Sequence, residues 1–180
     1  MKRLLLLSIL FIAVAGYAEA QRRVLSNKPY RNLNTLPGYI TVNEFGAGFG
    51  IRGTSTPYSK YFFGFTSIHG YQFDQYLVVG GGTGISVYED GVLIPLFIDI
   101  RYRFSISTVT FYAFGDGGFF LNPNDLNSGT KMFINAGPGI RFAASHKVAF
   151  NISPGLLIQM GPTSRASFIN FRIGATIKPR

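Results

Sequence analysis

Residues Leu93 to Phe104, "LIPLFIDIRYRF", decide the fold. They are as apolar as a buried core segment, yet Asp99, Arg101 and Arg103 occupy alternate positions. An unpaired charge in a dry core costs several kcal/mol, so one side of this segment must be polar. Ile94, Leu96, Ile98, Ile100, Tyr102 and Phe104 fill the other positions. A period of two places successive side chains on opposite faces of a strand. This strand therefore has one greasy face and one partly charged face.

The same alternation predicts seven more strands. Around 39–52, Phe45, Ala47, Phe49 and Ile51 oppose Glu44, Gly46, Gly48, Gly50 and Arg52. Around 61–73, Tyr61, Phe62, Phe63 and Phe65 load both faces, so the facing stays open. Around 76–88, Leu77, Val79, Ile85 and Val87 oppose Gly80, Gly82, Gly84 and Ser86. Around 108–120 the facing is again open, with Asp116 expected to share a side with Tyr112 and Phe114. Around 131–143, Met132, Ile134, Ala136, Ile140 and Phe142 oppose Asn135, Gly137, Gly139 and Arg141. Around 147–159 and 168–178 isoleucines and phenylalanines again oppose Asn151, Ser153, Gly155, Asn170, Arg172, Gly174 and Thr176. With 22 glycines, 18 phenylalanines and 10 tyrosines, the composition disfavours helix and suits pleated sheet. The expected fold is all-β, with an even strand count.

Targeting and charge bound the setting. Lys2 and Arg3 precede the apolar run Leu4 to Tyr17, and Ala18-Glu19-Ala20 has the small-x-small pattern of signal cleavage. That run falls short of the ~20 residues a membrane-crossing helix needs, and no other run approaches that length. Residues 1–20 therefore read as a cleaved signal peptide, 21–38 as a basic periplasmic lead-in and 39–178 as the folded domain. Without Lys2, Arg3 and Glu19 the chain keeps 15 basic and 7 acidic residues, a formal charge of +8. An exported basic protein meets anionic lipid and lipopolysaccharide phosphate rather than nucleic acid. The absence of cysteine excludes disulfides, thiolate metal sites and a cysteine nucleophile.

Connections give an independent signal. They run long at "GTSTPYS", short at "DQ", intermediate at "EDG", short at "SIS", long at "LNPNDLNSG", short at "ASH" and long at "MGPTSRA". Tight periplasmic turns alternating with longer external loops are the rule in bacterial outer-membrane barrels. In such a barrel arginines at mid-depth on the lipid side would cost ~2–4 kcal/mol each. Several such penalties would exceed the stability of a domain, so the charges face the lumen. Glu44, Asp99 and Asp116 are expected to meet Arg101, Arg103, Arg141 and Arg172 there in a buried ion-pair network, with inward glycines leaving room. Tyr61, Phe62, Tyr102, Phe104, Phe142 and Phe168 lie near strand ends, where interfacial aromatic girdles occur.

"GYQFDQYLVVGGGTGISVYEDG", "LIPLFIDIRYRF" and "INAGPGIRF" together resemble the outer-membrane β-barrel domain family, in the small eight-stranded form of Bacteroidetes-type proteins. The resemblance covers Tyr39 to Ile177. It implies an eight-stranded antiparallel transmembrane up-and-down barrel in the outer membrane, with both termini periplasmic. It says little about activity, because members include adhesion proteins, plugs, anchors and enzymes. Barrels of this class often end on an aromatic residue that the insertion machinery reads, whereas this chain ends Ile177-Lys178-Pro179-Arg180, so that either Phe171 serves or insertion uses a looser signal.

The search for chemistry is short. His69 stands near Ser67 in "TSIHGYQF", and His146 stands in "ASHK"; both read as structural. "GGGTG" at 80–84 lacks the following Lys and helix of a phosphate loop. Asp74, Asp90 and Asp125 read as solvated loop acids rather than calcium ligands. No catalytic residue, cofactor or metal is expected. The expected protein is a monomer with a filled lumen and no general pore, acting structurally or through surface loops at 52–60, 122–131 and 159–167. Its partners would be outer-membrane lipid, lipopolysaccharide, and an extracellular or periplasmic protein. The alternatives are a lipid A-modifying deacylase or acyltransferase, and an exported soluble barrel carrying an apolar ligand.

Overall fold

The computed structural model describes residues 36–51, 60–89, 91–105, 107–124, 129–145, 147–161 and 165–178. The signal-like segment, most of the lead-in, Arg52, Asp90, Asp125 and His146 lie outside the described residues.

Alternating sequence becomes eight strands: β1 (Gly38–Gly50), β2 (Tyr61–Gln72), β3 (Leu77–Tyr88), β4 (Gly91–Arg103), β5 (Val109–Leu121), β6 (Lys131–Ala143), β7 (Val148–Met160) and β8 (Arg165–Ile177). Each pairs antiparallel with its sequence neighbours, and β1 pairs with β8 to close the barrel. At 12 or 13 residues per strand and a tilt near 45°, the wall stands roughly 30 Å tall, enough to cross hydrocarbon. The expected strands are all present. The last begins at Arg165 rather than Phe168, because Ala166 and Phe168 extend its inward row.

Gly38 and Ile177 share one end of the barrel with connections 73–76, 104–108 and 144–147. The other end carries 51–60, 89–90, 122–130 and 161–164. The long-short alternation is thus broken. The β3–β4 turn, expected to be intermediate, is the shortest, and it closes on Gly91 at φ +147°, a conformation costly for any residue with a Cβ. Glu89 in this turn accepts a hydrogen bond from the Lys60 backbone N–H at 2.8 Å. The β7–β8 connection is shorter than expected because β8 starts early.

Polarity is inverted relative to a water-soluble barrel. Ile98 is 60% exposed and Ile173 58%, whereas Arg101 is 5% and Arg172 7%. Outward isoleucine and inward arginine are what surrounding hydrocarbon selects. The two open facings are resolved. Strand β2 turns Phe62, Ile68 and Gln72 inward and Phe63, Phe65 and Tyr71 outward. In β5, Asp116 does share the inner face with Tyr112 and Phe114.

The lumen is filled. Toward the end opposite the termini, Phe62, Tyr88, Phe97, Phe120, Phe133 and Phe168 form an aromatic plug. Its ring centroids are as close as 4.3 Å, between Phe120 and Phe133. Phe62 and Phe168 therefore do not belong to an outer girdle. They face inward, where rings rather than charges close this end of the lumen. Glycines make this possible. A Cβ on Gly48 would sit 2.1 Å from Phe62 Cε1, one on Gly82 2.4 Å from Phe97 Cζ, and one on Gly139 2.2 Å from Tyr112 Cζ. At these three positions rings occupy the room expected for long charged groups, whereas Gly46 and Gly174 lie against the Arg172 and Glu44 side chains.

Candidate functional site

Mid-depth in the lumen, charge replaces rings. Arg101 on β4 donates from Nη1 and Nη2 to the two oxygens of Glu44 on β1, at 2.8 and 3.0 Å. Its Nε reaches Asp99 on the same strand at 2.9 Å. The spacing of two residues puts Asp99 and Arg101 on one face, so the pair is written into the alternation itself. Arg172 on β8 bridges Asp116 on β5 at 2.8 Å and Glu44 at 3.2 Å. Glu44 thus holds two guanidiniums, and the chain runs Asp99–Arg101–Glu44–Arg172–Asp116. Asn135 donates to Asp116 at 3.1 Å, and Asn170 donates to Asn135 at 2.9 Å.

The rings beneath the plug hold the same arginines by their faces. The Arg172 guanidinium carbon lies 4.1 Å from the Phe114 ring centroid, and that of Arg101 lies 5.8 Å from Tyr112. These contacts favour a desolvated cation. Between the network and the plug is a cavity of about 50 Å³ lined by Thr66, Asp116, Asn170 and Arg172 among others.

Five of the seven charged residues expected in the network join it through these pairs. Arg103, nearer the termini, donates from Nη1 to Gln72 at 3.3 Å. Arg141 faces the lumen as expected, but its Nε and Nη2 find no hydrogen-bond partner among the described residues. The three carboxylates are already taken up by Arg101 and Arg172, which lie deeper. Sequence reasoning missed Asn135, Asn170, Tyr112 and Ser153; the last two share a hydrogen bond at 2.5 Å. Their inward parity was readable, but their partners lie on strands whose register only closure fixes.

A second polar cluster lies outside, on the wall. His69 is exposed, its Nε2 3.2 Å from Ser67 Oγ and its Nδ1 2.5 Å from Tyr39 Oη. Ser67 and His69 share the outward face of β2 by their spacing, and Tyr39 reaches them from β1. Asn43 pairs with Ser67 across β1–β2, and Thr83 pairs with it across β2–β3. Among the described residues no group of three His, Asp or Glu could hold a metal ion.

No protein-family model and no curated protein sequence matches the chain. The likeness to solved structures is one of fold. Neisserial surface protein A is 13% identical with a TM-score of 0.56, over 78% of this chain and 96% of that one. Ail, the attachment invasion locus protein of Yersinia pestis, is 15% identical with a TM-score of 0.48, over 80% of this chain and all of that one. A de novo designed transmembrane β-barrel is 18% identical with a TM-score of 0.48, over 80% of this chain. The chain has the eight-stranded transmembrane barrel fold of small outer-membrane proteins.

Proposed function

We propose that this chain is a small outer-membrane barrel of Bacteroidetes type, with both termini in the periplasm, and that it acts structurally or through its external loops. The observation that carries this reading is a lumen blocked twice, by the aromatic plug and by the Glu44–Arg101–Arg172 network. A barrel closed in this way offers its wall to lipid and its loops to partners, and passes no solute. The loops concerned are 52–60, 122–131 and 159–167. The positive charge of the mature chain suits contact with lipopolysaccharide phosphate, and a monomer suffices. No catalysis is assigned to the lumen or loops.

Planar-bilayer recording of the refolded protein tests the closed lumen. Silence is expected, and stable unitary conductance would overturn it. Heat-modifiable mobility after detergent extraction separates the membrane barrel from a soluble carrier, which would need no detergent. Cleavage of intact cells by added protease within residues 122–131, with a terminal tag protected, tests the orientation.

A further inference from the structure

We propose that Ser67, His69 and Tyr39 form a lipid-facing site that cleaves acyl esters of glycerophospholipids. This goes beyond a surface role of the loops, which neither needs nor excludes it. It also departs from the reading of His69 as structural.

Geometry supplies the argument. The three side chains are joined end to end at 3.2 and 2.5 Å on the outer face of a barrel whose other outward residues are largely apolar. Polar side chains facing hydrocarbon are expensive and mark functional positions. With Nδ1–H donating to Tyr39 Oη, His69 keeps Nε2 as the acceptor for the Ser67 proton, the arrangement of a serine nucleophile with an oriented base. Tyr39 is then the positioning residue, and Ser67 and His69 the catalytic residues. The N–H groups of neighbouring strands are spent in the ladders, so the oxyanion donor must be a side chain. Asn43, directly across from Ser67, places an amide on the same face.

Depth fits a lipid ester. Tyr39 lies at the rim, His69 about 7 Å and Ser67 about 12 Å from the end of β2. Thr41, Asn43 and Thr83 carry the polar sector around them. Such a sector draws water and headgroups inward and thins the adjacent monolayer. The ester carbonyl beneath the headgroup comes level with the serine, and the acyl chain lies against Phe45 and Phe65, whose rings are 4.9 Å apart.

The reaction balances. Ser67 Oγ attacks the ester carbonyl carbon while its proton passes to His69 Nε2. The carbon–oxygen bond to glycerol breaks, and the departing oxygen takes that proton. A water then attacks the acyl-serine, giving a proton to Nε2. The fatty acid leaves, and Ser67 Oγ takes the proton back. Tyrosine stabilises the imidazolium less than a carboxylate would, so slow turnover is expected.

Assignment to the inner leaflet, and hence to phospholipid, rests on the orientation proposed above; the cleavage itself does not. The test uses the refolded full chain in vesicles of palmitoyl-oleoyl phosphatidylethanolamine, with purified lipopolysaccharide as a second arm. Heat-modifiable mobility certifies the fold of every variant. Support would be fatty acid released from the vesicles, a fluorophosphonate adduct on Ser67, and loss of at least ~100-fold in Ser67→Ala. Tyr39→Phe should lower kcat more than it changes KM. Release of acyl chains from lipopolysaccharide alone would overturn the phospholipid assignment. No adduct, with release equal to that of Ser67→Ala, would overturn the site. A Tyr39→Phe variant with unchanged kcat, or with kcat and KM changed in proportion, would remove the relay.

Discussion

Arg101 grips Glu44 with both terminal nitrogens across the lumen, joining β4 to β1, which are not neighbours in the sheet. The ladders hold each strand only to the next. This pair, and the Arg172 bridge from β8 to β5, tie opposite walls together. Both acids and bases here are removed from water; each has an oppositely charged partner, while Asp116 Oδ1 and Arg172 Nε and Nη2 make no hydrogen bond among the described residues.

Glu44 is the common partner of two buried guanidiniums, and its removal strands both. Glu44→Ala should cost about 3–5 kcal/mol, the range for breaking a buried pair from one side. Urea unfolding in detergent micelles, followed by tryptophan-free far-UV dichroism, reads it. A loss below ~1 kcal/mol would mean that Arg101 and Arg172 find solvent, and that the network is wetter than its geometry implies.

Glycines on the two faces should behave oppositely. A Cβ on Gly139 would strike the Tyr112 ring at 2.2 Å, while one on Gly115 or Gly117 meets nothing within 4 Å. Gly139→Ala should therefore destabilise by about 1–3 kcal/mol through overpacking. Gly115→Ala should be neutral or stabilising by ~0.4–1 kcal/mol, as an unfolded-chain effect. Equal effects at both positions would refute the assignment of facing.

Ile98 projects outward near the middle of β4 and is 60% exposed. Ile98→Arg should cost roughly 2–4 kcal/mol in a bilayer, the depth-dependent penalty for a charge facing lipid. The check is folding equilibrium in phospholipid vesicles against the wild type. A neutral outcome would point to water outside the wall.

Much of this was legible because a strand's period is two. Parity alone placed Asp99, Arg101, Arg141 and Arg172 on the inner face, and set Ile98, Ile134 and Ile173 outside, while the facing of β5, and with it that of Asp116, stayed open. Parity fails where both faces are aromatic. Phe62 and Phe63 are equivalent to any pattern reading, and only closure of the barrel decides that Phe62 packs at 5.4 Å against Phe168. Pairing across strands was likewise hidden. Ser67 and His69 were visible as neighbours, but Tyr39 is 30 residues away, and its approach depends on the β1–β2 register. Loop length misled at "EDG", where the glycine permits a turn tighter than its residue count suggested.

The β2–β3 turn offers a pH test outside the membrane. Asp74 Oδ1 accepts the backbone N–H groups of Leu77 and Tyr76 at 2.6 and 2.7 Å, and these bonds hold its carboxyl below the ordinary aspartate value. A carboxyl whose folded pKa is depressed binds its proton more readily in the unfolded chain. Its stabilising contribution is therefore complete above the unfolded pKa of about 3.9 and is lost as pH falls through the lower folded value. Asp74→Asn keeps an oxygen that accepts the same two bonds but has no charge to titrate. Wild type should exceed this variant in stability at neutral pH, and the gap should close on acidification below about pH 4. Unfolding midpoints in urea from pH 2 to 7 measure it. A gap that persists unchanged at the acid end, or widens there, would show that the turn is held by something other than the ionised carboxylate.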